Sequence, residues 1–186
     1  MRPRGWDRAL AALTAPPRSV VLIDGGSGSG KTSLALALAS DWPGPVTVVS
    51  LDDIYPGWDG LAAGSDAVAR DILRPQFPGY ERWDWERGRP AGWVEMDQRA
   101  ALIIEGCGAL TPANRALATA GIWLSAPATQ RRARALGRDG EAFAPHWEAW
   151  ASQEWAHWRA HRPRSLADWI VSRDTMVRGP ARVTPP

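Results

Sequence analysis

The sequence predicts a three-layer α/β fold on a central parallel sheet of about five strands, and three observations carry that reading. Short apolar runs at 19–24, 46–51, 101–106, 121–125 and 168–172 alternate with helical stretches, and hairpin signals are few. The first run feeds a glycine-rich loop, Gly25-Gly26-Ser27-Gly28-Ser29-Gly30-Lys31-Thr32, that opens a helix of alternating leucine and alanine. Two later runs end in acids, Asp52-Asp53 and Glu105, at the edge where open parallel sheets bind ligands.

Taken in order, residues 1–17 read as a short helix. Asp7 interrupts the basic start, and 9–15 makes a poor signal core before Pro16-Pro17. The helix beginning at Lys31 runs to Ser40 and stops at Trp42-Pro43-Gly44-Pro45. Residues 46–51 are a β-branched strand. The stretch 56–98 is rich in Gly, Pro, Trp and Arg, with one helical piece near 65–73 and a short helix or loop at 92–98. Lacking the periodicity of a core, it reads as an acceptor-site insertion within a single domain spanning 1–186. Thr111 opens a helix to residue 120 with Pro112 at its first position. An arginine-laden helix at 127–136 is broken by Gly137-Arg138-Asp139-Gly140. The helix at 144–161 spaces Trp147, Trp150, Trp155 and Trp158 as one buried stripe, and 179–186 is a frayed tail.

At 186 residues the chain supports one domain with a sizeable core. A net charge of +2 and scattered arginines, clustered only at Arg131, Arg132, Arg134 and Arg138, promise no electropositive groove, so no nucleic-acid partner is expected. No apolar run approaches the ~20 residues that span a bilayer, so no membrane partner is expected. Cys107 stands alone, which excludes an internal disulfide and fits a reducing cytoplasm. His146, His157 and His161 have no metal-ligand spacing.

The glycine loop meets G-x-x-x-x-G-K-[ST] between a strand and a helix, the setting of a P-loop NTPase fold. Small residues let consecutive N–H groups face the phosphates, and the helix N-terminus adds its positive end. The stretch from Gly25 through Lys31, Thr32 and Ser33 is therefore the expected ATP-binding segment, with Lys31 on the β/γ oxygens and the Thr32 hydroxyl on Mg²⁺. Lys31 is the only lysine among 22 basic residues, kept where a compact ammonium cannot be replaced by a planar guanidinium. Asp52 is positioned to take the proton of an acceptor hydroxyl, with Asp53 as the alternative, and Glu105 stands near the metal. A guanine-reading N-K-x-D cannot occur, because Asn114 is the only asparagine and Lys31 the only lysine, and the transporter signature L-S-G-G-Q is absent. The pattern favours phosphoryl transfer from ATP; the alternative is an ATP-binding module or switch without a small-molecule acceptor.

Val49-Ser50-Leu51-Asp52-Asp53-Ile54-Tyr55 after such a loop, then Arg82-Trp83-Asp84-Trp85 and Ile104-Glu105-Gly106, resembles the uridine kinase and nucleoside kinase branch of P-loop kinases over most of the chain. The resemblance implies a small-molecule hydroxyl acceptor, Asp52 as base, Asp52 and Glu105 with Thr32 at magnesium, and Tyr55 lining the acceptor pocket. It also implies a lid-like segment over 127–142, whose Arg131, Arg134 and Arg138 close on the triphosphate. The acceptor region is shorter than the family's, which leaves the acceptor open. Trp58, Trp83, Trp85 and Trp93 are candidates to stack a base or sugar, or pack as core or lid. Arg82 is placed to hold an anionic group, and Asp84 either holds acceptor hydroxyls or pairs with Arg82 or Arg87.

Overall fold

The computed structural model describes residues 2–172 and 175–179. In chain order the strands are β1 (Val20–Asp24), β2 (Val46–Ser50), β3 (Gly79–Asp84), β4 (Arg89–Glu95), β5 (Ala101–Glu105), β6 (Ala120–Ser125), β7 (Trp169–Ser172) and β8 (Thr175–Arg178). Six of them form one sheet in the order β2-β5-β1-β6-β7-β8. The first five are mutually parallel, as expected, and β8 adds an antiparallel edge that the sequence reading lacked.

β1 and β5 are buried at every position, which is why they read as unbroken apolar runs. The pleat sends Val20, Leu22, Leu102 and Ile104 to one core and Val21, Ile23 and Ile103 to the other. Helices α1 (Trp6–Thr14) and α2 (Lys31–Ser40) cover the second core through Trp6, Leu13, Leu34 and Leu38. The first core lies under α3 (Leu61–Ala67) with its π-helical continuation Val68–Ile72, under the end of α5 (Ala128–Phe143) and under α6 (Trp147–His161). Ile23 and Ser50 both stand opposite Glu105, so β1, β2 and β5 end level and deliver their last polar residues to one edge.

Several local expectations are corrected. Residues 61–72 are core: Leu61, Val68 and Ile72 are buried, and the short apolar spacing was hidden by Gly64 and Ser65 facing inward as well. The stretch 92–98 is largely strand, since β4 pairs with β3 around a bulge between Glu81 and Trp83. That hairpin is mostly exposed, so no buried alternation marked it. Helix α4 (Pro112–Ala116) starts at the expected Thr111 cap, whose hydroxyl accepts from Asn114 N at 3.1 Å, but stops four residues early. Helix α5 runs through Gly137 and leaves helical angles only at Gly140 (φ 55°, ψ −134°). In α6 the buried stripe is Trp147, Trp150, Glu154 and His157. Trp155 is 56% exposed, off that stripe, with the Arg159 guanidinium 4.5 Å above its ring. Short α7 (Pro163–Leu166) leads into β7. Of the expected tail, Gly179 donates to the Asp168 carbonyl at 2.7 Å and 180–186 lies outside the described residues. No described helix is long and apolar enough to cross a membrane.

Ile104 lies at the centre of the sheet with no exposed surface, whereas Leu36 on α2 is 59% exposed. Urea unfolding is expected to show Ile104→Ala losing ~2–5 kcal/mol through the cavity it leaves. Leu36→Ala is expected to stay within ~0.5 kcal/mol.

Candidate active site

The loop between β1 and α2 turns through glycines at conformations that side chains avoid, Gly28 at φ 75° and Gly30 at φ 100°. Ser29 N donates to the Gly26 carbonyl at 3.0 Å, and α2 begins with Leu34 N on the Gly30 carbonyl at 3.1 Å. Gly28 meets a second constraint: a Cβ there would overlap the backbone carbonyl of Arg131 on α5.

Lys31 is buried inside this turn, and its Nζ donates to the Gly26 carbonyl and to Cys107 Sγ, both at 3.3 Å. Burial works against its charge, but Cys107, Glu105, Asp52 and Glu154 around it more than offset that and hold the ammonium above the ordinary lysine range. Glu105, 2% exposed, accepts from Thr32 Oγ1 and Ser50 Oγ on the same oxygen at 2.9 Å each. Burial raises its pKa and Asp52 adds to the rise, while Lys31 and the two hydroxyls pull it back. Asp24, at the end of β1, is fully buried and accepts from Gly25 N at 2.6 Å, Leu110 N at 2.9 Å and Gly108 N at 3.1 Å. Burial nevertheless lifts its pKa to about 6.

Ser27 is gripped from outside the loop. Its N–H donates to Glu154 Oε1 at 2.6 Å, and its carbonyl accepts from Arg131 Nη1 at 3.2 Å. Arg131 and Glu154 pair at 3.2 Å, and Cys107 Sγ donates to Glu154 at 3.3 Å. Burial pushes the Cys107 thiol well above its usual range.

Three cavities meet along this edge. A pocket of about 330 Å³ is lined by Lys31, Thr32, Glu105, Arg134 and Arg138 together with Gly28 and Gly30. Beside it an aromatic cavity of about 360 Å³ is walled by Tyr55, Trp58, Trp85, Phe143 and Trp150. Ser27, Asp52 and Arg138 line both. On the other side a cavity of about 620 Å³ shares Gly30, Ser33 and Arg134 with the first and is closed by Arg2, Trp6 and Gln130. Trp58 stacks on His146 (4.3 Å, 11°) and on Phe143 (5.4 Å, 12°), and Trp85 packs against it at 4.8 Å while donating to the Asp52 carbonyl at 2.7 Å. The hairpin thus docks as a wall of the aromatic cavity.

The donors around Thr32 suit magnesium. Its hydroxyl, Glu105 and Asp52 are hard oxygen groups in one pocket, and Mg²⁺ takes one or two protein oxygens, completing its shell from phosphates and water. Among the described residues no three His, Cys, Asp or Glu side chains gather into a self-sufficient metal site.

The expected residues fall into two groups. Lys31, Thr32, Ser33, Asp52, Glu105, Arg134 and Arg138 face the linked cavities. Tyr55 faces the aromatic one, although its hydroxyl is spent on the Cys107 carbonyl at 2.7 Å. Asp53, Arg82, Trp83, Asp84 and Arg131 are outside those linings. Asp53 is exposed beside Arg82, and partial burial with Asp52 next door raises its pKa. Asp84 caps Arg87, through Arg87 N at 3.0 Å and an ion pair at 2.8 Å. Trp83 lies half-buried near Gly57, and Arg138 is paired with Asp139 at 2.7 Å. Sequence reasoning missed Asp24, Ser50, Cys107 and Glu154. Only Glu154 left a signal, an acid at the 147, 150, 154 spacing of an otherwise aromatic stripe.

Among solved structures the chain is similar to a possible uridine kinase from Bacillus stearothermophilus, at a TM-score of 0.60 and 19% identity over 88% of this chain and 93% of that one. It is also similar to a protein named provisionally as a fructose transport system kinase from Silicibacter sp. TM1040, at a TM-score of 0.54 and 25% identity over 81% of this chain and 92% of that one. No protein-family model and no curated protein matches it. What is shared is the fold, a mostly parallel sheet flanked by helices as in P-loop kinases.

Asp24 and His157 give stability opposite pH dependences. Asp24 rises from 3.8 to about 6 on folding, so its contribution is present below pH 4 and is lost as pH climbs through 6. His157, pushed down to about 4 by burial and then by His161, contributes above pH 6.5 and loses that as pH falls through 4. Asp24→Asn removes only the first. Thermal unfolding against pH is expected to show the stability of wild type relative to this variant falling by up to ~3 kcal/mol between pH 4 and pH 7.

Proposed function

We propose that the chain is an ATP-dependent phosphotransferase that moves the γ-phosphate to a hydroxyl of a small, ring-bearing acceptor of nucleoside type. The observation that carries this reading is the junction of two cavities. One is cationic and glycine-lined, the other aromatic, and Asp52, Ser27 and Arg138 border both. A hydrolase needs no second cavity at that point, whereas transfer needs an acceptor in line with the phosphate.

In this reading the triphosphate lies on the loop N–H groups with Lys31 at the β/γ oxygens, and the base and ribose occupy the cavity closed by Trp6 and Gln130. Thr32, with Glu105 and Asp52, would hold magnesium, which would supply neutralisation of the phosphate charge. The acceptor ring lies in the cavity walled by Tyr55, Trp58, Trp85 and Phe143, which presents its hydroxyl to Asp52. Asp52 takes the hydroxyl proton as the new O–P bond forms and ADP leaves. Arg134 and Arg138, from the lid-like 127–142 segment, meet the charge on the transferred group. The whole chain acts as one domain, with 56–98 supplying an acceptor wall.

Incubated with Mg-ATP and a panel of nucleosides, sugars and ring-bearing vitamins, the protein is expected to release ADP in an acceptor-dependent way. Asp52→Ala is expected to lower kcat by ~10²–10⁴ with nucleotide binding retained, and Lys31→Ala to abolish turnover. Nucleotide binding with no turnover across the panel would instead favour a nucleotide-driven switch.

A further inference from the structure

We propose that Glu154 and Arg131 are positioning residues that fix Ser27 of the phosphate loop for transfer. This rests on the phosphotransferase reading. Glu154 is 2% exposed and sits where the α6 stripe would otherwise carry an apolar side chain. A carboxylate buried there costs folding free energy that an isosteric apolar residue would not, so stability alone does not account for it. What the pair gains is control of one peptide unit. Glu154 takes the Ser27 N–H at 2.6 Å, Arg131 takes the Ser27 carbonyl at 3.2 Å, and the two side chains bind each other at 3.2 Å. Both backbone polar groups of Ser27 are thereby held by side chains 127 and 104 residues away.

Ser27 borders both the phosphate pocket and the aromatic cavity, where phosphorus and acceptor oxygen would meet. With its N–H fixed on Glu154, Ser27 cannot turn that donor towards the nucleotide. The phosphates are left to the rest of the loop and Lys31. Gly26 is part of the same arrangement, because a Cβ there would strike the Arg131 guanidinium and crowd Glu154. The clamp also joins the walls to the loop: α6 carries Trp150 of the aromatic cavity, and α5 carries Arg134 and Arg138 of the phosphate pocket. Filling the acceptor cavity therefore bears on α6 and, through Glu154, on the loop. In-line transfer is sensitive to displacements of about 1 Å, whereas nucleotide affinity is spread over many contacts.

The test separates kcat from nucleotide affinity in Glu154→Gln, Glu154→Ala and Arg131→Met. Arg131→Met keeps apolar packing against Trp158, whose ring lies 5.4 Å from the guanidinium. Glu154→Ala and Arg131→Met are expected to lower kcat ~10²-fold, with the Kd for Mg-AMPPNP within about threefold of wild type. The double variant is expected to be no worse than the weaker single one. Glu154→Gln, whose amide oxygen still accepts from Ser27, is expected to recover most of the rate. A wild-type kcat in folded Glu154→Ala overturns the proposal, as do proportional losses of kcat, affinity and thermal stability. If Glu154→Ala does not fold, Arg131→Met decides by the same split, with Glu154→Gln as the variant expected to stay near wild type. If wild type phosphorylates no acceptor, the phosphotransferase reading has failed, and the clamp is read separately by hydrogen exchange over residues 24–33. Faster exchange in Arg131→Met, with Glu154→Gln close to wild type, supports it, and unchanged exchange in Arg131→Met overturns it.

Discussion

The ammonium of Lys31, buried in a turn of backbone, needs negative charge close by, and the chain brings it from four separate elements. Glu105 arrives on β5, Asp52 on the turn after β2, Asp24 at the end of β1 and Glu154 from α6. Glu105 and Asp24, both buried, are more costly without the lysine, because carboxylates gathered at one sheet edge repel one another. The hydroxyls of Thr32 and Ser50 and the backbone N–H groups on Asp24 complete the set. Strand register is tied to this charge pattern, since β1, β2 and β5 must end level for the groups to meet.

Around that polar centre the tryptophans divide the work. Trp6 and Trp169 fill the core on one face, and Trp147 and Trp150 that on the other. Trp58 and Trp85 instead wall a cavity, and Trp85 anchors the β3–β4 hairpin through a single hydrogen bond to the Asp52 carbonyl. One side chain thus connects the hairpin to the candidate base, while Tyr80 roots the start of β3 in the core.

Legibility followed locality. The place of the glycine loop between a strand and a helix could be read because its signal lies in eight consecutive residues, and the central strands because burial on both faces makes them continuously apolar. The hairpin could not: its strands are held by pairing rather than burial, and Pro90 and Gly92 sit inside β4. Long-range partners were equally hidden. Cys107 reaches Gly25 across 82 positions, and Arg131, expected on the triphosphate, is drawn to Glu154 by the need to neutralise a buried acid. Arg134 and Arg138, one and two turns further along α5, escape that demand and face the pocket.

Gly28 marks how closely α5 lies on the loop. A side chain there is excluded twice, by the left-handed backbone and by the Arg131 carbonyl pressed against it. At that point the arginine helix and the glycine loop are in backbone contact. At its far end, beyond the break at Gly140, α5 buries Phe143 against Trp58 and Trp147. Arg134 and Arg138 are therefore held out to the pocket from a span rooted at both ends, like the deck of a bridge.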